Sequence, residues 1–262
     1  MTFITALIAL LVERFFDWTH IRHWNWLTRY KQWMSTKIKT NSPYLSLALF
    51  VAPPAVIVAL VDLILSHWLY GIPRLIFSVL VLMYCFGPDN LWAQTYLSVN
   101  DPKMEKAQQF FHFNASHDSQ AAHQSFTRAI FIEAHQRVFV VVFWFIFLGP
   151  FGAVAYRLLA LEQQPFAEKM KQWLDWIPAR VFTFFFALGG HFIEVFSIWK
   201  KGMTKGTEAT QSLIADCGIA SLDVVKENKL PEDGTAEKHA LALLDRTFII
   251  GLVVLAAVVL LI

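Results

Sequence analysis

The sequence predicts an all-α, polytopic integral membrane helical protein with about five to six membrane elements and helical cytosolic segments. Three observations carry that prediction. Of the 262 residues, 56% are hydrophobic and only 16% charged, against roughly 45–50% and about 25% in soluble domains. Aromatic residues reach 15%, with 24 Phe and 10 Trp. Several apolar runs approach the ~20 residues that a helix needs to cross a bilayer.

Four runs read as spans: 44–70, "YLSLALFVAPPAVIVALVDLILSHWLY"; roughly 74–88, "RLIFSVLVLMYCFGP"; 138–160, "VFVVVFWFIFLGPFGAVAYRLLA"; and 247–262, "TFIIGLVVLAAVVLLI". Two further segments are ambiguous. Residues 1–16 present only twelve residues before Glu13 and Arg14, and 178–199 contains Gly189, Gly190, His191 and Glu194. The N-terminus lacks a basic region and a small-residue cleavage site, so it reads as a retained first membrane element. With six elements, the stretches 13–43, 88–137 and 198–246 fall on one side and hold 6, 4 and 7 of the 22 Lys/Arg. The positive-inside bias places that side in the cytoplasm. The organisation expected is a single membrane domain over 1–262, with a cytosolic helical insertion at 88–137 and a cytosolic, partly flexible loop at 198–246. Within that loop, 226–240 reads as a charged, turn-rich stretch.

The net charge of +2 and the absence of a basic, aromatic-interleaved surface argue against a nucleic-acid partner. Cys85 and Cys217 form neither a metal motif nor a disulfide framework and read as reduced thiols. No phosphate-binding glycine loop, H-E-x-x-H or G-x-S-x-G motif is present. His191 and Glu194, spaced i, i+3, show no third metal ligand by spacing. No metal site is expected.

The ionisable residues at the ends of apolar runs are the candidates for chemistry. Glu133 and Arg137 share a helix face four apart, with Glu on the favourable N-terminal side. They form either a bilayer-edge ion pair or the polar mouth of a bundle; His135 lies on another face. In "LDWIPARVF" at 174–182, Asp175 is an N-cap candidate and Pro178 fits a first helical turn. Arg180 would then sit against the positive end of a helix dipole and call for an anion. Glu13 and Arg14 close the first run. Asp62 lies well inside a span, where a carboxylate is functional, as in a proton- or solute-moving transporter, or protonated, or satisfied by a neighbouring helix. The lack of a detectable repeat argues against the transporter. In the run 138–160, Gly149, Pro150 and Gly152 predict a broken helix, and Arg157 follows the break.

Four stretches, "LIALLVERFF", "CFGP", "EAHQRVFVVVFWFIFLGPFGAVAYRLLA" and "LDWIPARVFTFFFALGGHF", resemble the AmpE family in order and spacing along the whole chain. That resemblance implies a multi-pass protein of the bacterial inner membrane, associated with β-lactamase induction and cell-wall recycling signalling. AmpE is in turn similar to the CobD/CbiB family of cobalamin biosynthesis, whose members join an aminopropanol unit to a corrinoid carboxylate. Their G-x-P-G-A-x-x-Y-[KR] and Y-I-P-A-R-L elements are approached here by "GPFGAVAYR" and "WIPARV", which places Arg157 and Arg180 in a shared site pattern. The N-T-L-D-S-M-type stretch of the synthases is replaced by "LLALEQQPF", so the resemblance implies a shared scaffold without the synthase reaction.

The resulting expectation is a sensor or transducer that is either non-enzymatic or of cryptic activity, with no cofactor identified. It would bind a small anionic ligand, a nucleotide or cell-wall fragment, through Arg137, Arg157 and Arg180, oriented by Glu13, Glu133 and Asp175. The lipid bilayer is a partner, as is a cytosolic or membrane protein. The rival is a membrane-bound amide-forming ligase related to adenosylcobinamide-phosphate synthase, with Mg²⁺ held by carboxylates such as Glu13 or Asp175.

Overall fold

The structure is a computed structural model that describes residues 2–16, 22, 24–37, 42–66, 71–99, 105–111, 113, 119–222, 231 and 234–261. His67, read from sequence as interfacial, residues 114–118 of "NASHDSQ" (114–120, read as a polar turn) and residues 226–230 lie outside the described residues. All described secondary structure is helical. The chain divides into two compact units, residues 1–90 with 141–174, and residues 91–140 with 175–262.

The first unit contains α1 (Thr2–Phe15), α2 (Asn25–Lys37), α3 (Pro43–Ser66), α4 (Ile72–Cys85) and most of α8 (Val140–Ala160). The second contains α5 (Leu91–Val99), α6 (Glu105–Phe111), α7 (Ser119–Ala134), the greater part of α9 (Pro165–Gly189), α10 (Phe192–Met203), α11 (Thr210–Ala220) and α12 (Thr235–Leu261).

Among the described residues, three helical stretches are long and apolar enough to cross a membrane: Pro43–Ser66, Gln120–Ala160 and Thr235–Val258. The second contains the third run expected from sequence, and the others overlap most of the first and last runs. Helix α4, at 14 residues, rises about 21 Å, short of the ~30 Å hydrocarbon layer; α1 has the same length. The ambiguous run 178–199 does not form one helix. It breaks at Gly190–His191, where His191 is extended (φ −74°, ψ 90°) ahead of α10. The turn-rich reading of 226–240 also yields at its end, because 235–240 opens α12.

The long helices carry their apolar residues outward as well as inward. Along α3, Val56, Ile57, Leu60, Leu63 and Ile64 are exposed, and on α12 Ile249, Val253 and Val258 are exposed too. A helix apolar all round is suited to lipid or a large core. Asp62, the carboxylate inside this surface, is answered by α4. Arg74 donates to both its oxygens (Nε to Oδ1 3.0 Å, Nη2 to Oδ2 2.8 Å), and Ser78 Oγ lies 3.3 Å from Oδ1. Of the readings of Asp62, the neighbouring-helix one describes what is built. In the same unit, α2 is held by an aromatic run. Trp24 packs on Tyr84, Tyr30 on Phe50, and Trp26 Nε1 donates to the Tyr84 hydroxyl at 2.7 Å.

The core of the second unit is a stack of rings. Phe182 packs on Phe139, Phe186 and Phe248, and Phe131 meets Phe186 edge-on at 5.2 Å. Buried pairs tie its helices together: His123 Nδ1 to Glu237 at 2.8 Å, and Trp92 Nε1 donating to Asp245 at 2.9 Å.

Both cysteines are free thiols and buried. Burial, with Asp216 beside it, pushes the Cys217 thiol up to about 12. In the folded protein it is therefore neutral across the physiological range. The unfolded thiol ionises near its ordinary ~8.5, so this group's contribution to stability is lost as pH climbs above that value. Maleimide at pH 8 should leave Cys217 unlabelled in the folded protein and label it fully after denaturation. Replacing Asp62 by Asn should lower the thermal midpoint, at a cost of about 1–2 kcal/mol for a half-exposed pair. The double variant Asp62→Asn/Arg74→Gln should recover part of that loss in the same melt.

Candidate functional site

The break anticipated in α8 is present at Gly149, whose φ of 65° and ψ of −156° lie outside the helical region. Two local causes converge there. A residue preceding proline is pushed away from the α conformation, and only glycine takes a positive φ at little cost. Pro150 then starts a second half-helix, a position where its missing N–H costs nothing. Gly152 belongs to this start, since a Cβ there would collide with the Trp144 carbonyl.

Two turns into the half-helix, Arg157 is buried at 8% exposure. Its guanidinium lies against Gly87, where a Cβ would stand only 2.5 Å from Nη2. Gly87 follows α4 with φ 106°, so backbone conformation and close approach both require glycine. Its carbonyl accepts a hydrogen bond from Arg22 Nη1 at 3.2 Å. Arg22, 3% exposed, also donates through Nη2 to the Glu13 carboxylate, itself 1% exposed. Asn90 Nδ2 donates to the backbone carbonyl of Glu13. The first unit thus gathers two buried guanidinium groups and one buried carboxylate around a single glycine.

The other four sequence candidates lie in the second unit. Glu133 and Arg137 form the expected i, i+4 pair, and Arg137 lies over the Phe110 ring at 4.2 Å. Between them the helix widens into a π-helical turn, His135–Phe139. Such turns insert one residue and re-aim side chains. His135 is buried at 1% exposure, with its ring 5.6 Å from Phe182.

The reading of Asp175 as an N-cap is corrected. Helix α9 begins ten residues earlier, at Pro165, and Pro178 sits inside it. Asp175 is a buried interior residue, and Arg180 is mid-helix, not at a positive helix end. Arg180 instead reaches the C-terminal end of α10. It donates to the carbonyls of Lys205 (3.0 Å) and Gly202 (3.4 Å), to Thr210 Oγ1 (3.1 Å), and to the Trp176 carbonyl (3.1 Å). Its guanidinium stacks on Trp176 at 4.4 Å. A cation at a helix C-terminus meets the favourable end of the dipole, which reverses the electrostatic argument made from sequence.

Among the described residues, no group of three or more His, Cys, Asp or Glu side chains is placed to hold a metal ion. Arg22 was not singled out from sequence. Its neighbours "THIRHW" carry no periodic signal, and the sequence pointed to this corner through Glu13, Arg157 and the "CFGP" stretch instead.

A family model described as "Regulatory signalling modulator protein AmpE" matches residues 1–262. No curated protein and no solved structure matches the chain.

The Arg180 geometry has a direct test. Arg180→Ala strips a buried, planar donor from three backbone carbonyls, and should cost about 3 kcal/mol. Arg180→Lys should recover less than half, because a point charge cannot serve divergent acceptors and stack at once. Both are read as shifts of the thermal midpoint.

Proposed function

Because the chain belongs to the AmpE family of regulatory signalling modulators, we propose that it is a multi-pass sensor or transducer of the bacterial inner membrane. It acts in β-lactamase induction or cell-wall recycling signalling and reads a small anionic ligand. The observation that carries the ligand reading is the convergence of Arg22 and Arg157 on Gly87, beside Glu13. Buried ion pairs contribute little net stability, so a buried cation-rich cluster is better suited to selecting an anion than to holding the fold. Arg157 is the primary contact, Arg22 the second, and Glu13 orients Arg22.

The other sequence candidates take supporting roles in this reading. Arg180 stabilises the joint of α9 with α10, Asp175 is a buried residue of α9, and Glu133 with Arg137 holds the π-helical turn. The likeness of "GPFGAVAYR" to the CobD/CbiB element supports a shared scaffold in which the broken helix walls the pocket. It also favours the rival reading, an amide-forming ligase on that scaffold.

Thermal stability of the purified protein against nucleotides, phosphate and cell-wall fragments should show a shift with at least one anion. The shift should be lost in Arg157→Ala and retained in Arg137→Ala. A panel in which no anion shifts the wild type would sink the ligand reading. Growth of a cobalamin-synthase-deficient strain complemented with this chain would put the ligase in its place.

A further inference from the structure

A cavity of about 680 Å³ opens within the first unit, between α3, α8 and the start of α9. Its size is that of a ligand pocket, ~300–1,000 Å³. On α8 the wall runs from Trp144 through Leu148 and Gly152 to Tyr156 and Leu159. That stretch covers roughly 22 Å at 1.5 Å per residue, more than one leaflet's half of a ~30 Å hydrocarbon layer. The lining is almost wholly carbon, and two of its walls are helices long and apolar enough to span. The backbone break at Gly149 falls between two lining residues, and a Cβ at Gly149 would meet nothing within 4 Å.

One end of the cavity has a different chemistry. Phe166, Met170 and Leu174 line it at i, i+4, i+8 on α9, which puts one helical stripe on the cavity. Lys169 and Lys171 flank Met170 on either side of that stripe, and Trp173 is 72% exposed. Of the acids in the same stretch, Glu162 pairs with Lys31, Asp175 is buried, and Glu168 is exposed beside Lys169. Tyr44 closes the same end, packed edge-on to Phe166 at 4.3 Å. Lysine, tryptophan and tyrosine beside an apolar slot are the residues that settle at lipid headgroups.

We propose that this cavity holds an acyl chain of an anionic glycerophospholipid from the bilayer. The headgroup lies beside Lys169 and Lys171, and the chain runs along α8 toward the Gly149 break. This site is separate from the arginine cluster and rests only on the membrane reading. The charge at the open end selects an anionic over a zwitterionic lipid.

Native mass spectrometry of the full chain, released from detergent after incubation with phosphatidylglycerol or phosphatidylcholine, tests it. One phosphatidylglycerol should remain bound per chain, preferred over phosphatidylcholine. Ala155→Phe, which fills the cavity, should weaken retention roughly tenfold, about 1.4 kcal/mol. Val56→Phe, on the exposed face of α3 outside the cavity, should leave retention unchanged. Lys169→Gln/Lys171→Gln should abolish the preference while keeping the lipid. Thermal melts of each variant without lipid establish that it is folded. Equal retention by wild type and Ala155→Phe would overturn the proposal. So would the absence of any retained lipid, or a dimer mass that Ala155→Phe converts to monomer, since the occupant would then be a second copy. Loss of the anion response in Arg157→Ala leaves this test untouched, so the two sites fail separately.

Discussion

Polar groups that enter apolar helices must be answered from inside the protein, because hydrocarbon offers them no partner. That requirement organises the first unit. Asp62 projects from α3 and is met by two donors of Arg74 and the hydroxyl of Ser78, all on α4. A bidentate pair has little angular freedom, so this contact sets the register of α4 on α3. Arg157 makes the same demand from α8, and the glycine loop after α4 lets its guanidinium lie against backbone. Helix α4 is therefore tied at both ends by charge, by Arg74 near its start and by the Gly87 turn after its end.

The second unit meets the requirement differently. Its core is ring packing, with Phe182 touching several other rings, and aromatic pairs add directionality to the area they bury. Two of its polar contacts use helix ends. Arg180 gathers carbonyls at the end of α10, and Glu237 in the first turn of α12 holds His123 near the start of α7. Donors at one helix end and an acid at another both follow the dipole.

Much of this was legible in the residues, and the failures have physical causes. The broken helix was readable because glycine followed by proline leaves one backbone solution, and it holds at Gly149. The Glu133–Arg137 pair was readable because four-residue spacing is local. The start of α9 was misread because Asp175 and Pro178 look like a cap and a first turn. An interior proline removes the N–H that would serve the carbonyl four residues earlier, here Leu174, yet α9 continues through Pro178 to Gly189. The local pattern of acid, proline and arginine is the same at a helix start and inside a helix, so sequence order alone did not separate the two. The π-helical turn at His135–Phe139 is invisible to a search for 3.6-residue period, since it changes the period itself. Arg22 was missed for a similar reason: its burial depends on Glu13 and Gly87, which are 9 and 65 residues away.

The two constraints in α8 bear on each other. A half-helix beginning at Pro150 has its positive end at the break and its negative end past Arg157. Arg157 near that C-terminal end is electrostatically favoured before any ligand arrives, and so is its approach to a backbone carbonyl turn at Gly87. An anion binding there competes with these contacts as well as with Glu13. On the proposed reading, occupancy would therefore loosen Arg157 from Gly87 and shift the half-helix about the one residue free to turn, Gly149. The break at Gly149 directly precedes the eleven-residue piece of helix that carries the cation, Pro150–Ala160. On the same reading, a short rigid lever of this kind would convert a local change of charge into a displacement along α8, the minimum that a signalling modulator needs from a ligand site.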